Sequence, residues 1–257
     1  PQYNVVYVDD EKSKFTPSMV IKKCATPEEY EESFKTITKT FKDKIEQNVI
    51  FILSGCSLVS SISLKFLQQI KNKNITVIYI RPELDLLDET RVLQERVVYS
   101  VLQEYARSGL FNDIYLFDNQ VLDKVVENAS IKDYYPSINS MIVSTFHMLK
   151  VFENQKQVVG NFQQINKARR VCTIGILNMK TSEETLFFDL QEPMSARLYY
   201  GISESTLNKD RNLQRDIINL IKDKNKNICK YSYSVYETKY DSDFCYVKTY
   251  SSKVQEF

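Results

Sequence analysis

Glycine is scarce in this chain: the 257 residues contain five, at positions 55, 109, 160, 175 and 201, where average usage of about 7% would give roughly 18. Loops that bring backbone N–H groups close to phosphates need several glycines together, so a glycine-rich phosphate loop is excluded. Long apolar runs are also missing. The longest are strand-length, and no segment reads as a membrane span. The N-terminal PQYNVVYVDDEK lacks the basic start and apolar stretch of a signal peptide. No sign of charge dominates, since the net charge is +1, and this argues against a general nucleic-acid field. No CxxC occurs. Cys24, Cys56, Cys172, Cys229 and Cys245 are scattered and read as reduced thiols in a cytoplasmic compartment, without a zinc site. The one histidine, His147, has no Cys or Ser at a spacing that defines a catalytic pair, and it reads as a core or interface residue.

What is present is ordinary for a globular protein, with 43% hydrophobic and 26% charged residues. A short apolar strand is predicted over 4–8. Thr26-Pro27-Glu28-Glu29 supplies an N-cap, a proline at the first helical position and a capping-box glutamate. That helix is predicted to continue through Phe34, Ile37, Phe41 and Ile45. Val49–Leu53 is a continuous apolar strand of the kind covered on both faces. Ile62, Phe66, Leu67 and Ile70 mark a helix, 75–80 a strand, and Leu93, Val97, Val98, Val101, Leu102 and Tyr105 a longer helix. A further strand follows over 113–117. This alternation implies a parallel, doubly wound sheet.

The middle segment, YYPSINSMIVSTFHMLKVFENQ, is apolar around more than one face and predicts a central helix buried from several sides. A polar connection over 158–170 follows. Strand candidates lie at 171–179, 185–190 and 197–203, and a helix is marked by Leu213, Ile217, Leu220 and Ile221. Two last strands flank the turn Tyr240–Asp243, with Tyr231, Tyr233 and Val235 on one face, in the pattern of a hairpin. The fold class is α/β, a doubly wound parallel sheet joined by a long central helix to a smaller α+β domain. The expected boundaries are 1–133, 134–157 and 158–257.

One stretch raises a chemical question. In FILSGCSLVSS (51–61) a strand runs into a turn and then a helix, the geometry at which α/β proteins hold phosphates. Gly55, Ser57 and Ser60 are the candidate contacts there. The ordinary alternatives are a tight turn for Gly55 and helix capping for Ser57, Ser60 and Ser61. Arg91 is a weaker candidate, since an i,i+4 pair with Glu95 explains it. Asp9, Asp10 and Glu11 read as a solvated acidic turn, and Lys167-Ala168-Arg169-Arg170 as a solvated turn before a strand.

The order of these parts resembles the tubulin/FtsZ family. VIFILSGCSLVSSISLKFLQQI is similar to that family's strand, phosphate loop (typically GGGTGSG) and helix. In the following region Arg91, Gly109, Leu110, Asn119 and Leu122 stand at positions where the family has like residues. SINSMIVSTFHMLKVF resembles its central helix, with Asn139 where a guanine-contacting Asn or Asp stands, and VVGNFQQINKARR falls at its catalytic loop. The departures are equally informative. The family's first strand and loop have no counterpart, the phosphate loop retains Gly55 alone, and Asn161 and Gln164 occupy the places of the catalytic carboxylates. An amide cannot serve as a general base.

The resemblance therefore implies a degenerate, non-catalytic member without a bound cofactor, cytoplasmic and possessing neither nucleic-acid nor membrane partners. It would associate head to tail with itself or a related subunit into rings or filaments. Richness in Lys, Asn and Ile hints at an AT-rich source of the phage or plasmid kind. The alternative is a GTP- and Mg-dependent filament protein whose first nucleotide loop lies upstream of residue 1. A second alternative is an unrelated Rossmann-like protein that binds a small ligand.

Overall fold

The computed structural model describes residues 3–126, 130 and 132–256. They divide into two compact units, one reaching Tyr115 and the other spanning Leu116–Glu256.

In the first unit, β1 (Tyr7–Asp9) and β2 (Ser18–Val20) form a parallel pair of their own. The strand predicted over 4–8 is thus formed only at its end. α1 (Pro27–Ser33) starts at the Thr26 cap: the Thr26 hydroxyl accepts from Glu29 N, and the Glu29 carboxylate reaches back to accept from Ala25 N, one residue before the N-cap of a standard capping box. It stops at Ser33 rather than running to Ile45, and a single turn, α2 (Lys39–Lys42), follows. Phe34, Ile37, Phe41 and Ile45 are nevertheless all buried. Thr36-Ile37-Thr38 is a β-branched run with low helix preference, and the Gln69 amide oxygen accepts from both Ile37 N and Thr36 Oγ1. That side chain satisfies backbone which a helix would otherwise have satisfied.

β3 (Asn48–Ser54), α3 (Ser63–Gln69), β4 (Asn74–Arg81), α4 (Glu89–Arg107) and β5 (Asp113–Asp118) alternate as predicted. β3 pairs with β4 in parallel, from Asn48 opposite Asn74 to Ser54 opposite Ile80. β4 is the buried member, and β3 ends the sheet path. Ile52 on β3 is 55% exposed, so this apolar strand is not covered on both faces. α4 is rotated from its predicted orientation. Its buried residues are Glu95, Tyr99, Leu102, Gln103 and Ala106, while Leu93 and Val97 are exposed. Tyr99 packs on Tyr79 of β4, and Tyr105 meets Phe111 edge-on, so aromatic contacts set the helix rotation and carry a carboxyl inward.

The second unit begins with the end of β5, followed by α5 (Asn119–Val125), α6 (Tyr134–Glu153), β6 (Val159–Asn161), β7 (Val171–Leu177), β8 (Glu184–Leu186), β9 (Ser195–Ser203), α7 (Glu204–Lys209), α8 (Leu213–Lys224), β10 (Lys230–Thr238) and β11 (Phe244–Ser251). α6 buries a single stripe, Ile138, Ile142, Thr145, Phe146, Leu149 and Phe152, while Tyr135 and Val143 face solvent. The expected burial from several sides is not observed. The sheet order is β7-β11-β9-β10-β6, with β8 on the other side of β7. β10 and β11 are therefore no hairpin: β9 lies between them, parallel to β10 and antiparallel to β11. α8 lies against β10, and Ile217, Leu213, Leu220 and Ile221 pack with Tyr231, Tyr233 and Val235. No helix among the described residues is long and apolar enough to cross a membrane.

Candidate functional site

The strand–turn–helix around Gly55 holds three of the sequence candidates, Gly55, Ser57 and Ser60. Gly55 N donates to Ile80 O at 2.9 Å, which extends the β3–β4 pairing by one residue. Cys56 then takes a left-handed backbone conformation, φ 62°. A 3₁₀ turn over Val59–Ile62 precedes α3, which has only seven residues. The serines serve the turn itself. Ser60 Oγ donates to Ser54 O at 2.7 Å and Ser61 Oγ to Leu58 O at 2.6 Å. Neither caps a helix through its side chain, contrary to the capping expectation, and Ser57 is exposed.

What faces Gly55 is a carboxyl group. Glu95 of α4 is 2% exposed, and a β-carbon built on Gly55 would lie 2.1 and 2.2 Å from its two carboxyl oxygens. A side chain at position 55 would have to displace the Glu95 head, which occupies that space. The Cys56 thiol donates to Glu95 Oε2 at 3.4 Å and also lies 3.6 Å from Arg91 O. Glu95 Oε1 is buried without a hydrogen-bond partner. Burial pushes the Glu95 carboxyl up to about 7, against a smaller opposing effect of its bond from Cys56. Burial, reinforced by the same carboxylate, pushes the Cys56 thiol up to about 12.

Arg91 does not pair with Glu95. Its guanidinium is 3.5 Å from Asp88, whose carboxylate also caps α4 by accepting from Arg91 N. An anion-binding turn needs donors and positive charge. This one presents a buried acidic head, so the residues do not fit a nucleotide phosphate. Nothing in the sequence pointed to Glu95, because an acidic residue in a charged helix looks solvated until the rotation of the helix is known.

The remaining candidates lie in the second unit. Asn139 is an exposed residue of α6, and His147 is half-buried on the same helix. Asn161 ends β6 opposite Tyr233, and Gln164 is exposed in the loop that follows. Gly160 has φ +90°, and a β-carbon there would meet Tyr233 O at 2.5 Å, so this bend also needs glycine. Arg197 of β9 holds the loop down. Its Nη2 donates to Gln163 O at 2.9 Å and its guanidinium lies over the Phe162 ring, 5.1 Å from the centroid. Phe162 in turn packs on Tyr199 at 4.5 Å between centroids.

Beneath this loop sits a charged cluster that the sequence did not reveal. The Glu153 carboxylate, at the end of α6, takes Lys150 at 2.7 Å, lies 4.0 Å from Lys248 and accepts from the Tyr199 hydroxyl at 3.4 Å. Burial alone would raise its pKa, but Lys248, Lys150 and Arg197 outweigh that and hold it below the usual carboxylate value. Residues 161–170 carry Lys167, Arg169 and Arg170 and no carboxylate. Lys167 and Ala168 form the turn expected of that segment. Among the described residues, no three acidic, thiol or imidazole side chains converge as a metal-binding group.

No family model matches the chain, and no curated protein does. Solved structures do. The chain is similar to CetZ from Methanosaeta thermophila, with TM-score 0.54 and 18% identity over 83% of this chain and 64% of that one. It is similar to TubZ of Bacillus thuringiensis serovar israelensis in GDP-form protofilaments, with TM-score 0.55 and 14% identity over 87% and 68%. A four-stranded TubZ filament gives TM-score 0.58 and 16% identity over 87% and 64%. The chain thus spans about two thirds of the length of the structures it matches. With the strand order, the turn at Gly55 and the long helix α6 in place, the conclusion is that this chain has a tubulin/FtsZ-like fold.

Proposed function

We propose that this chain is a non-catalytic structural or assembly protein that associates with itself or with a related subunit and holds no nucleotide at the Gly55 turn. The observation that carries this reading is the Glu95 carboxyl, seated against Gly55 in the position from which phosphate-binding donors should point. Where it ionises it repels a phosphate, and where it is protonated it still fills the space. The amides at Asn161 and Gln164 support the absence of hydrolysis, since neither can serve as a general base. The fold neighbours include protofilaments and filaments of TubZ. Carried to this chain, that likeness supports assembly by a repeated head-to-tail contact. In this reading residues 1–133 form the nucleotide-binding-like domain, 134–157 the central helix and 158–257 the activation-like domain.

The test is nucleotide content together with assembly. Denatured protein should release neither GDP nor GTP, titration with magnesium-GTP should give no heat of binding, and light scattering should report assemblies in nucleotide-free buffer. Stoichiometric guanine nucleotide would instead overturn this reading and favour its rival, a GTP-binding filament protein.

A further inference from the structure

We infer that the acidic face around the Gly55 turn receives the basic segment 154–170 of a second copy of this chain, so that opposite charges hold successive copies together. The inference rests on the assembly reading above and names the two surfaces that meet.

The acidic face is built from two segments. PEEYEES (27–33) carries four glutamates and ELDLLDE (83–89) four carboxylates, and neither holds a cation. All of these acidic residues except Glu83 are exposed. Side-chain contacts gather both segments at one place. Gln94 Nε2 of α4 donates to Glu28 Oε1 at 3.0 Å, Lys65 Nζ of α3 donates to Glu31 O, and the Cys56 thiol lies 3.6 Å from Arg91 O. α1 and the start of α4 therefore flank the turn. Arg91, 3.5 Å from Asp88, offsets one of these charges. Like charges crowded on one face repel one another, and a positive surface laid over them relieves that repulsion.

A surface of the matching sign lies in the second unit. Residues 154–170 contain Lys156, Lys167, Arg169 and Arg170 and no carboxylate. Lys156 and Lys167 are exposed. The segment is held in shape before any partner arrives: β6 pairs with β10, Arg197 Nη2 donates to Gln163 O, and Arg170 Nε donates to Lys167 O at 2.8 Å. Docking then costs less ordering entropy than it would for a free loop. Each surface also presents an exposed apolar side chain, Leu86 at 74% and Val158 at 54%, which gives the contact apolar area to bury. Because the two surfaces differ, the contact is heterologous: each copy gives its basic segment to one neighbour and receives that of another.

The experiment is sedimentation velocity of the full chain in nucleotide-free buffer, from about 50 to about 500 mM sodium chloride. Wild type should self-associate at low salt and disperse as salt rises. Two charge-reversed variants are made at exposed positions, Glu32→Lys with Glu89→Lys on the face and Lys156→Glu with Lys167→Glu on the segment. Each should weaken self-association at least about tenfold. An equimolar mixture of the two should recover it, because the reversed face accepts the reversed segment and the unreversed surfaces pair as before. Circular dichroism reports whether the variants fold, and if one does not, the salt series on wild type still decides. A wild-type chain that stays monomeric at every salt concentration overturns the assembly reading and this contact with it. Wild-type assemblies indifferent to salt, assemblies that persist in both variants, or a mixture no more associated than either variant alone overturn the contact and leave the assembly reading standing.

Discussion

Two glutamates, Glu95 buried and Glu153 only partly so, behave in opposite ways in this molecule. Glu95 in the first unit is almost wholly buried, accepts one weak thiol hydrogen bond and is pushed up to about 7. Glu153 in the second unit is surrounded by Lys150, Lys248 and Arg197 and is held below its usual value. The side chain is the same in both. The difference lies in what the fold brings to it: apolar packing and a glycine turn at Glu95, three cations at Glu153. Burial alone favours the neutral carboxyl group, whereas neighbouring cations favour its charge. The Gly55 turn is thus lined by a carboxyl group, while positive charge is gathered around Glu153 in the other unit.

The largest effect should come from removing the charge that unites the second cluster. Glu153→Gln leaves Lys248 buried without that counter-charge and should cost about 3 kcal/mol, read from urea denaturation. A loss below 0.5 kcal/mol would mean that the cations do not depend on Glu153. Next, Gly55→Ala pushes a methyl group into the Glu95 head and should cost roughly 2–3 kcal/mol. Because the clash is with that side chain, most of the cost should vanish in the Glu95→Ala background. Additive costs in that double-mutant cycle would place the strain elsewhere.

The pH dependence sharpens the contrast. The folded value of Glu95, about 7, lies above its ordinary value of 4.5. Its contribution is therefore fully present below 4.5 and is lost as the pH rises through 7. The loss is about 3 kcal/mol, on the order of 1.4 kcal/mol for each unit of the rise. Glu153 has the opposite slope, contributing above the ordinary carboxylate value and losing that contribution as the pH falls through its lower folded value. Melting temperatures from pH 5 to 8.5 should decline in wild type and flatten in Glu95→Gln. An equal decline in that variant would assign the effect to another group. The smallest expected change is at Arg91, where the pair with Asp88 is half exposed and screened. Arg91→Ala should alter stability by no more than about 0.5 kcal/mol.

Alternating apolar segments made the order of β3, α3, β4, α4 and β5 readable before any coordinates, because each segment carries its own periodicity. Rotation and pairing were less legible. The stripe through Phe34, Ile37, Phe41 and Ile45 is buried as its spacing required, yet the backbone beneath it breaks because Gln69, distant in sequence, satisfies it. β10 and β11 looked like a hairpin, and nothing local could show that β9 would come between them. At the candidate site, Gly55 was recognisable as a turn residue. The reason for its being glycine was not, because the reason is Glu95, forty residues away.

The sequence by itself determined the element order, the absence of a glycine-rich loop and the amides at positions 161 and 164. These follow from residue identity and short-range spacing, and no partner can change them. Tertiary structure alone decided which way α4 turns, that Lys248 and Arg197 stand opposite each other, and whether a buried glutamate is charged. Those properties depend on distances between residues far apart in the chain. The energies that set them, desolvation and Coulomb attraction, are defined only once folding has fixed those distances.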